Sequence, residues 1–203
     1  MSELRKPTEF ITVEEYLEGE TLAQVRHEFV DGKVFAMAGA SDHHGLVAGN
    51  LFAALHAHLR GGPCQTFQSD MKLHLKTDLG ERFYYPDLLV SCENNEVHPY
   101  YRDSPRVIIE VFSDSTWRTD RYEKLPAYQS LPSVEEIVLI SPNWAEVNVY
   151  RRAENWQHEI LTKMDDTLHL KALDFSLPLT ELYERVTLSD KGPPWYLRDQ
   201  PSL

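Results

Sequence analysis

The segment Arg106-Val107-Ile108-Ile109-Glu110-Val111-Phe112 is apolar enough to be a central strand buried on both sides, yet a carboxylate interrupts it. Burying an ionised carboxylate without a partner costs enough that the group would normally take up a proton. The two-residue repeat of a strand puts Ile108, Glu110 and Phe112 on one face and Val107, Ile109 and Val111 on the other. Compensation for Glu110 must therefore come from its own side of the sheet. Tyr84-Tyr85-Pro86-Asp87-Leu88-Leu89-Val90 repeats the oddity, with Asp87 inside an apolar strand. If the two strands are neighbours, the carboxylates can converge, and at ~4 Å they repel by roughly 4 kcal/mol at an effective dielectric near 20. A shared divalent cation removes that repulsion, and oxygen ligands suit Mg2+ or Mn2+. The plainer alternative is an acid paired with an arginine, or one pointing to solvent at a strand end.

The surrounding sequence supplies the elements to hold such a pair. Thr12, with Glu15 three residues on, is a capping box for a short helix. His27–Val30 and Lys33–Met37 flank Asp31-Gly32, a hairpin signal. Ser41-Asp42 caps a helix running to about Leu59, with Val47, Leu51, Ala54 and Leu55 as its stripe and Gly61-Gly62-Pro63 as its stop. Strands are expected over Cys64–Phe67, Met71–Leu75, Phe83–Ser91 and Arg106–Phe112. Ser113 to Thr116 offer N-caps for a helix reaching about Gln129, which Pro126 should kink or end. Further strands follow over Ile137–Ser141, Glu146–Arg151 and Trp156–Thr162. The fold class is α/β (α+β), a mixed sheet flanked by helices. One domain is expected over residues 8–187, and 188–203 read as an extended C-terminal tail.

Trp117, Arg121, Lys124 and Tyr128 share one face of the helix after Glu110. That helix can bring the Lys124 ammonium to the strand end; Asp120 and Lys124, four apart, are equally readable as a surface ion pair.

Composition bounds the partners. Hydrophobic residues at 42% and charged residues at 26% are ordinary for a globular chain of 203 residues. The net charge of −12 argues against a generic basic nucleic-acid binder. The imbalance is uneven, since residues 60–130 hold nine Lys/Arg against eleven Asp/Glu, so a polyanion would bind there. Cys64 and Cys92 show no ligand spacing and are expected as packed free thiols in a reducing cytoplasm. The N-terminus lacks an apolar signal region and no stretch approaches the ~18 apolar residues of a membrane span, so no membrane partner is expected.

Five short segments taken together resemble a known family. They are His27-Glu28-Phe29-Val30-Asp31-Gly32-Lys33, Ala38-Gly39-Ala40-Ser41-Asp42-His43-His44, Pro86 to Val90, Ile109 to Ser113, and Asp120-Arg121-Tyr122-Glu123-Lys124. Pro86-Asp87, followed 23 residues later by Glu110, resembles the PD-(D/E)xK nuclease superfamily. Within it the chain is similar to the Uma-two family of proposed restriction endonucleases over roughly residues 10–185. The resemblance implies a restriction-endonuclease-like αβββαβ core with extra strands, and a Mg2+ (or Mn2+)-dependent endonuclease acting on nucleic acid, with DNA expected. Glu28, Asp87 and Glu110 would form the acidic cluster and Lys124 would be the active-site lysine. Asp87, Glu110 and the Val111 carbonyl would hold the ion. Phe112 occupies the position where the motif carries its lysine, so the helix-borne Lys124 is expected to replace it. Glu28 would ligate a second ion or act as a base; a solvated hairpin carboxylate is its plainer reading. A non-catalytic binding or dimerisation module of the same fold and a phosphoesterase acting on RNA or a small anion are the competing expectations; a homodimer is compatible with each.

Other polar residues point less clearly. His56 and His58 face different ways on a helix and form no chelate. His44 is expected to contact a phosphate, cap its helix or pack. Asp70 is a candidate fourth acid or a turn residue. Tyr84, Tyr85, Tyr100 and Tyr101, with Trp117, could stack on bases or serve core and dimer contacts.

Overall fold

The computed structural model describes residues 10–37, 39–77, 80–92, 98–112 and 119–189. The expected caps at residues 113–116, Trp117, Ala38 and most of the C-terminal tail lie outside those residues.

Helix α1 (Val13–Leu22) begins as its sequence demands: the Glu15 amide donates to Thr12 Oγ1 at 3.2 Å and the Thr12 amide to Glu15 Oε2 at 2.8 Å. Strands β1 (His27–Val30) and β2 (Lys33–Ala36) pair across Asp31 and Gly32, whose φ values of 50° and 84° give the left-handed turn that a tight hairpin needs. Helix α2 (Asp42–His58) is capped by Ser41 and buries Val47, Ala48, Leu51 and Leu55.

The chain then forms β3 (Gln65–Gln68), β4 (Lys72–Thr77), β5 (Gly80–Tyr84), β6 (Leu88–Ser91), β7 (Tyr101–Arg102) and β8 (Val107–Val111). The strand expected over Phe83–Ser91 is two strands in different sheets. Pro86, with no amide to donate, falls at the break, and Asp87 stands just before β6 rather than within a strand. A π-helical turn over Asp120–Lys124 leads into α3 (Leu125–Ser130). Pro126 does not end this helix; it lies just after the π-helical turn, where the Leu125 amide reaches back five residues to the Asp120 carbonyl, so the regular helical bonding is interrupted at the expected place.

Strands β9 (Glu136–Ile140), β10 (Val147–Arg151) and β11 (His158–Leu161) follow, then β12 (Thr167–Leu170), β13 (Phe175–Pro178) and α4 (Leu179–Leu182). They complete a mixed α/β architecture. One sheet runs β2-β1-β5-β4-β7, a second runs β11-β10-β9-β8-β6-β3, and β12-β13 form a separate ribbon. The pairs β4–β7 and β8–β9 are parallel; the other ladders are antiparallel.

Strand β8 is central and wholly buried, between β6 and β9. Its Val107, Ile109 and Val111 face a core shared with α2, β13 and α4. Its Ile108 faces a second core, built from Leu73, Leu75, Tyr84, Leu125, Tyr128 and Leu139, where the two sheets and α3 meet. A third, small core of Tyr16, Phe29 and Phe83 lies under α1.

The thiols expected to be free are joined. The register that pairs Gln65 with Ser91 sets Cys64 beside Cys92, and their sulfurs are bonded at 2.11 Å. Among the described residues no helix is long and apolar enough to cross a membrane.

Candidate active site

The antiparallel register that pairs Leu88 with Ile109 brings Asp87 and Glu110 face to face at the next step. Each acid grips the other's strand: the Val111 amide donates to Asp87 Oδ2 at 2.7 Å and the Asp87 amide to Glu110 Oε2 at 3.4 Å. Glu28 arrives from β1, where the Phe29–Phe83 pairing places it next to Tyr84, and its Oε1 accepts the Tyr85 amide at 3.4 Å.

Lys124 closes the group from the π-helical turn. Its Nζ lies 2.8 Å from Glu28, 3.4 Å from Glu110 and 3.4 Å from Asp120. The side chain is 8% exposed, so these charges meet largely out of water. Asp120 is therefore no surface residue. It lies on the π turn, 4% exposed, against the same buried ammonium. Tyr128, one turn on, donates its hydroxyl to Glu110 Oε1 at 2.6 Å, and the Tyr84 ring lies 5.5 Å from the ammonium.

Asp87 has a partner that sequence reading left open. His44, near the start of α2, places Nε2 3.1 Å from Asp87 Oδ1. Its backbone amide is held by Ser41 Oγ at 3.3 Å, so the helix cap fixes the point from which the ring reaches. The Ser41-Asp42 cap signal marked this helix start; the ring's direction was set by packing no single segment contains.

The electrostatics follow from crowding. Burial raises the Glu110 carboxyl first, and the Asp120 and Asp87 charges add to it. The Lys124 ammonium and the Tyr128 hydroxyl oppose them, and the net result is about 8. For Lys124, burial works against the charged form but three carboxylates outweigh it, so its pKa lies well above the ordinary lysine range. Burial also works against a charged His44; the hydrogen bond and charge of Asp87, with the Val111 backbone, leave its pKa raised.

The remaining candidates are placed elsewhere. Asp70 is exposed and paired with Arg26 at 2.5 Å. His58 bonds the Leu173 carbonyl and His56 stacks on Phe52. Tyr84 and Tyr85 are buried, whereas Tyr100 is exposed and Tyr101 packs against His98 and His74.

Among the described residues no three carboxylate, imidazole or thiolate groups already converge as a cage for an ion. The donor chemistry nevertheless suits a hard divalent cation. Asp87 Oδ1 and Glu110 Oε2 lie on facing residues, with the Val111 carbonyl next in line on β8, and this oxygen-rich corner holds more acids than bases.

Three comparisons bear on this geometry. A crystal structure described as "a putative nuclease belonging to DUF820" from Anabaena variabilis superposes with a TM-score of 0.69 at 18% identity, covering 85% of this chain and 97% of that one, which establishes a shared fold. Uncharacterized protein slr1290 of Synechocystis sp. is 29% identical over 175 residues, spanning 85% of this chain and 91% of that protein. Uncharacterized protein sll1609 of the same organism is 28% identical over 171 residues, spanning 81% and 93% respectively. The family model described as "Putative restriction endonuclease" matches residues 13–180, so the chain belongs to the Uma2 family.

Proposed function

We propose that this protein is a metal-dependent nuclease that hydrolyses phosphodiester bonds in DNA, with Asp87, Glu110 and the Val111 carbonyl as ion ligands. The observation that carries the reading is a buried ammonium, Lys124 Nζ, within 3.4 Å of Glu28, Glu110 and Asp120, beside a second carboxylate directly opposite Glu110. An arrangement of this kind is costly for stability alone, because desolvating several charges offsets their attraction. A nuclease site gives it a reason. Membership of a family whose description reads "Putative restriction endonuclease" supports the same reading and makes DNA the expected substrate.

A divalent cation, when bound, supplies Lewis acidity at the phosphate and lowers the pKa of a water. The protein's own groups do the rest. Lys124 stays charged at any working pH, so it can donate to a phosphate oxygen as negative charge develops there. Glu28, which reaches the site from β1, holds that ammonium at 2.8 Å and would orient a water or take its proton. Tyr128 fixes Glu110 by its hydroxyl, which keeps the carboxyl aimed at the Asp87 side.

A second reading has one observation in its favour: every acid of the cluster already has an internal partner, as a non-catalytic binding module would. Plasmid cleavage separates the two. The wild-type protein should nick or linearise plasmid DNA with Mn2+ or Mg2+ and leave it intact in EDTA, while Asp87→Ala and Lys124→Met should leave it intact throughout. Equal cleavage by Asp87→Ala would assign the activity to a contaminant, and an inert wild type with either ion would favour the module.

A further inference from the structure

The register that brings Glu28 to the acidic corner also fixes what stands on either side of it. Glu28 pairs with Phe35 on β2, and the Phe29–Phe83 pairing puts Tyr84 on its other side. Residues directly opposite each other in an antiparallel ladder point to the same face, with Cβ atoms about 4.5–5.5 Å apart. One row therefore runs Phe35, Glu28, Tyr84. Lys124 Nζ sits over it, 2.8 Å from Glu28 and 5.5 Å from the centre of the Tyr84 ring. The outer end of the row is a phenyl ring in water: β2 is the outermost strand of its sheet, and Phe35 is 52% exposed.

A cation shares that edge. Lys33 lies two residues before Phe35, so its side chain leaves the same face, roughly 6.8 Å away along the strand. It is exposed, and among the described residues it forms no ion pair. From Phe35 the chain leads on to Ser41 and to His44, whose ring meets Asp87, so this one segment flanks the corner at its Glu28 end and at its Asp87 end. A lone exposed apolar ring needs no explanation. A ring that continues a row of buried charges, with a solvated ammonium beside it, matches the two things a nucleotide presents: a flat apolar face and a phosphate.

Resting on the nuclease reading above, we infer that Phe35 and Lys33 seat one nucleotide beside the Lys124 corner, the ring stacking on an unpaired base and the ammonium meeting its phosphate, so that the protein prefers single-stranded DNA to an intact duplex. In a duplex both faces of a base are covered by its neighbours, which leaves nothing for the ring to stack on. Stacking also suits a chain with a net charge of −12, because it adds affinity without relying on charge and tolerates any sequence. The competing occupant of the ring is a second copy of the chain, adding its own edge strand to β2.

The test uses the full chain with Mg2+ and cleavage-resistant phosphorothioate oligonucleotides, single-stranded and duplex. Irradiating a bound single strand that carries iodouracil should cross-link it to Phe35, as mapped by mass spectrometry. Phe35→Ala should bind the single strand about fivefold or more weakly, the low end for losing one base–aromatic stack, and should bind the duplex as wild type does. Phe35→Trp should bind the single strand at least as tightly as wild type. Lys33→Ala should reduce the slope of log affinity against log salt by about 0.7, one phosphate contact fewer. Both positions are exposed, and circular dichroism verifies that each variant is folded. Cross-links confined to other residues, or a Phe35→Ala variant that binds the single strand like wild type, overturn the inference. So does an equal loss on strand and duplex, or a wild-type dimer that Phe35→Ala turns into a monomer in sedimentation. Failure of the wild type to bind or cut DNA of either form overturns instead the nuclease reading on which the inference stands.

Discussion

At the residue scale the decisive tension is the proton on Glu110. Its carboxyl titrates near 8 in the fold, chiefly through burial, and near 4.5 when the chain is unfolded. Between those values the folded state holds a proton that the unfolded state has released, so folding is favoured at the acid end. That contribution is complete below pH 4.5 and is lost as pH rises through 8. His44, also raised, acts in the same direction, so comparison with a variant is needed to isolate Glu110. In EDTA, urea denaturation of wild type should show stability falling from pH 6 to pH 9, and Glu110→Gln should flatten much of that fall. Parallel profiles would mean that Glu110 is ionised throughout. Lys124→Met asks the converse question. It leaves Glu28, Glu110 and Asp120 facing one another without their cation, and the expected loss is about 3 kcal/mol in the same measurement at neutral pH. An unchanged midpoint would show that the acids reach solvent or protonate at little cost. The sequence made two of these acids legible because a charge within an apolar strand has no cheap explanation. Asp120 was hidden for the opposite reason. Four residues before a lysine, it looks like any helix-surface pair, and its burial is a matter of tertiary packing that the segment alone does not reveal.

At the scale of elements, local chemistry announced starts and turns well, and announced pairing partners poorly. The Thr12 capping box, the Asp31-Gly32 hairpin and the Ser41 cap all stand where their residues require. The Phe83–Ser91 segment misled because alternation shows which residues are buried and not which sheet receives them. The chain crosses between sheets at Pro86, and that crossing delivers Asp87 to Glu110. The start of β5 depends on a glycine. Gly80 has φ of 142°, and an added Cβ would fall 1.8 Å from Asp31 Oδ1. Gly80→Ala should therefore cost more than about 1 kcal/mol, because it adds strain at a positive φ and evicts the carboxylate that Arg82 binds at 3.2 Å. Thermal melting of that variant measures the cost; a melting temperature within a degree of wild type would mean that Gly80 and Asp31 move apart at little cost.

At the scale of the whole molecule, the balance of charge sets the terms on which a polyanion can approach. A net charge of −12 repels a phosphate backbone, and the acidic corner adds to that repulsion where the chemistry is proposed. Ordinary nonspecific binders gain affinity by releasing counterions from many phosphates, with dissociation constants of roughly 10⁻⁴–10⁻⁶ M at physiological salt. This protein's 20 basic residues are outnumbered by 32 acidic ones, and its buried lysine at the site is already committed to three carboxylates. On the metal-dependent reading proposed above, a bound ion would do part of the recruitment by changing the sign of the local field, not only the chemistry. Binding of a cleavage-resistant phosphorothioate duplex should accordingly be weaker than that range in EDTA. It should tighten on adding Mn2+, and it should fall only gently with added salt. Asp87→Asn, with the ion's anchor removed, should stay weak under both conditions. Tight binding in EDTA with a steep salt dependence would locate a basic surface that these residues do not provide, and would make the acidic corner incidental to how DNA is held.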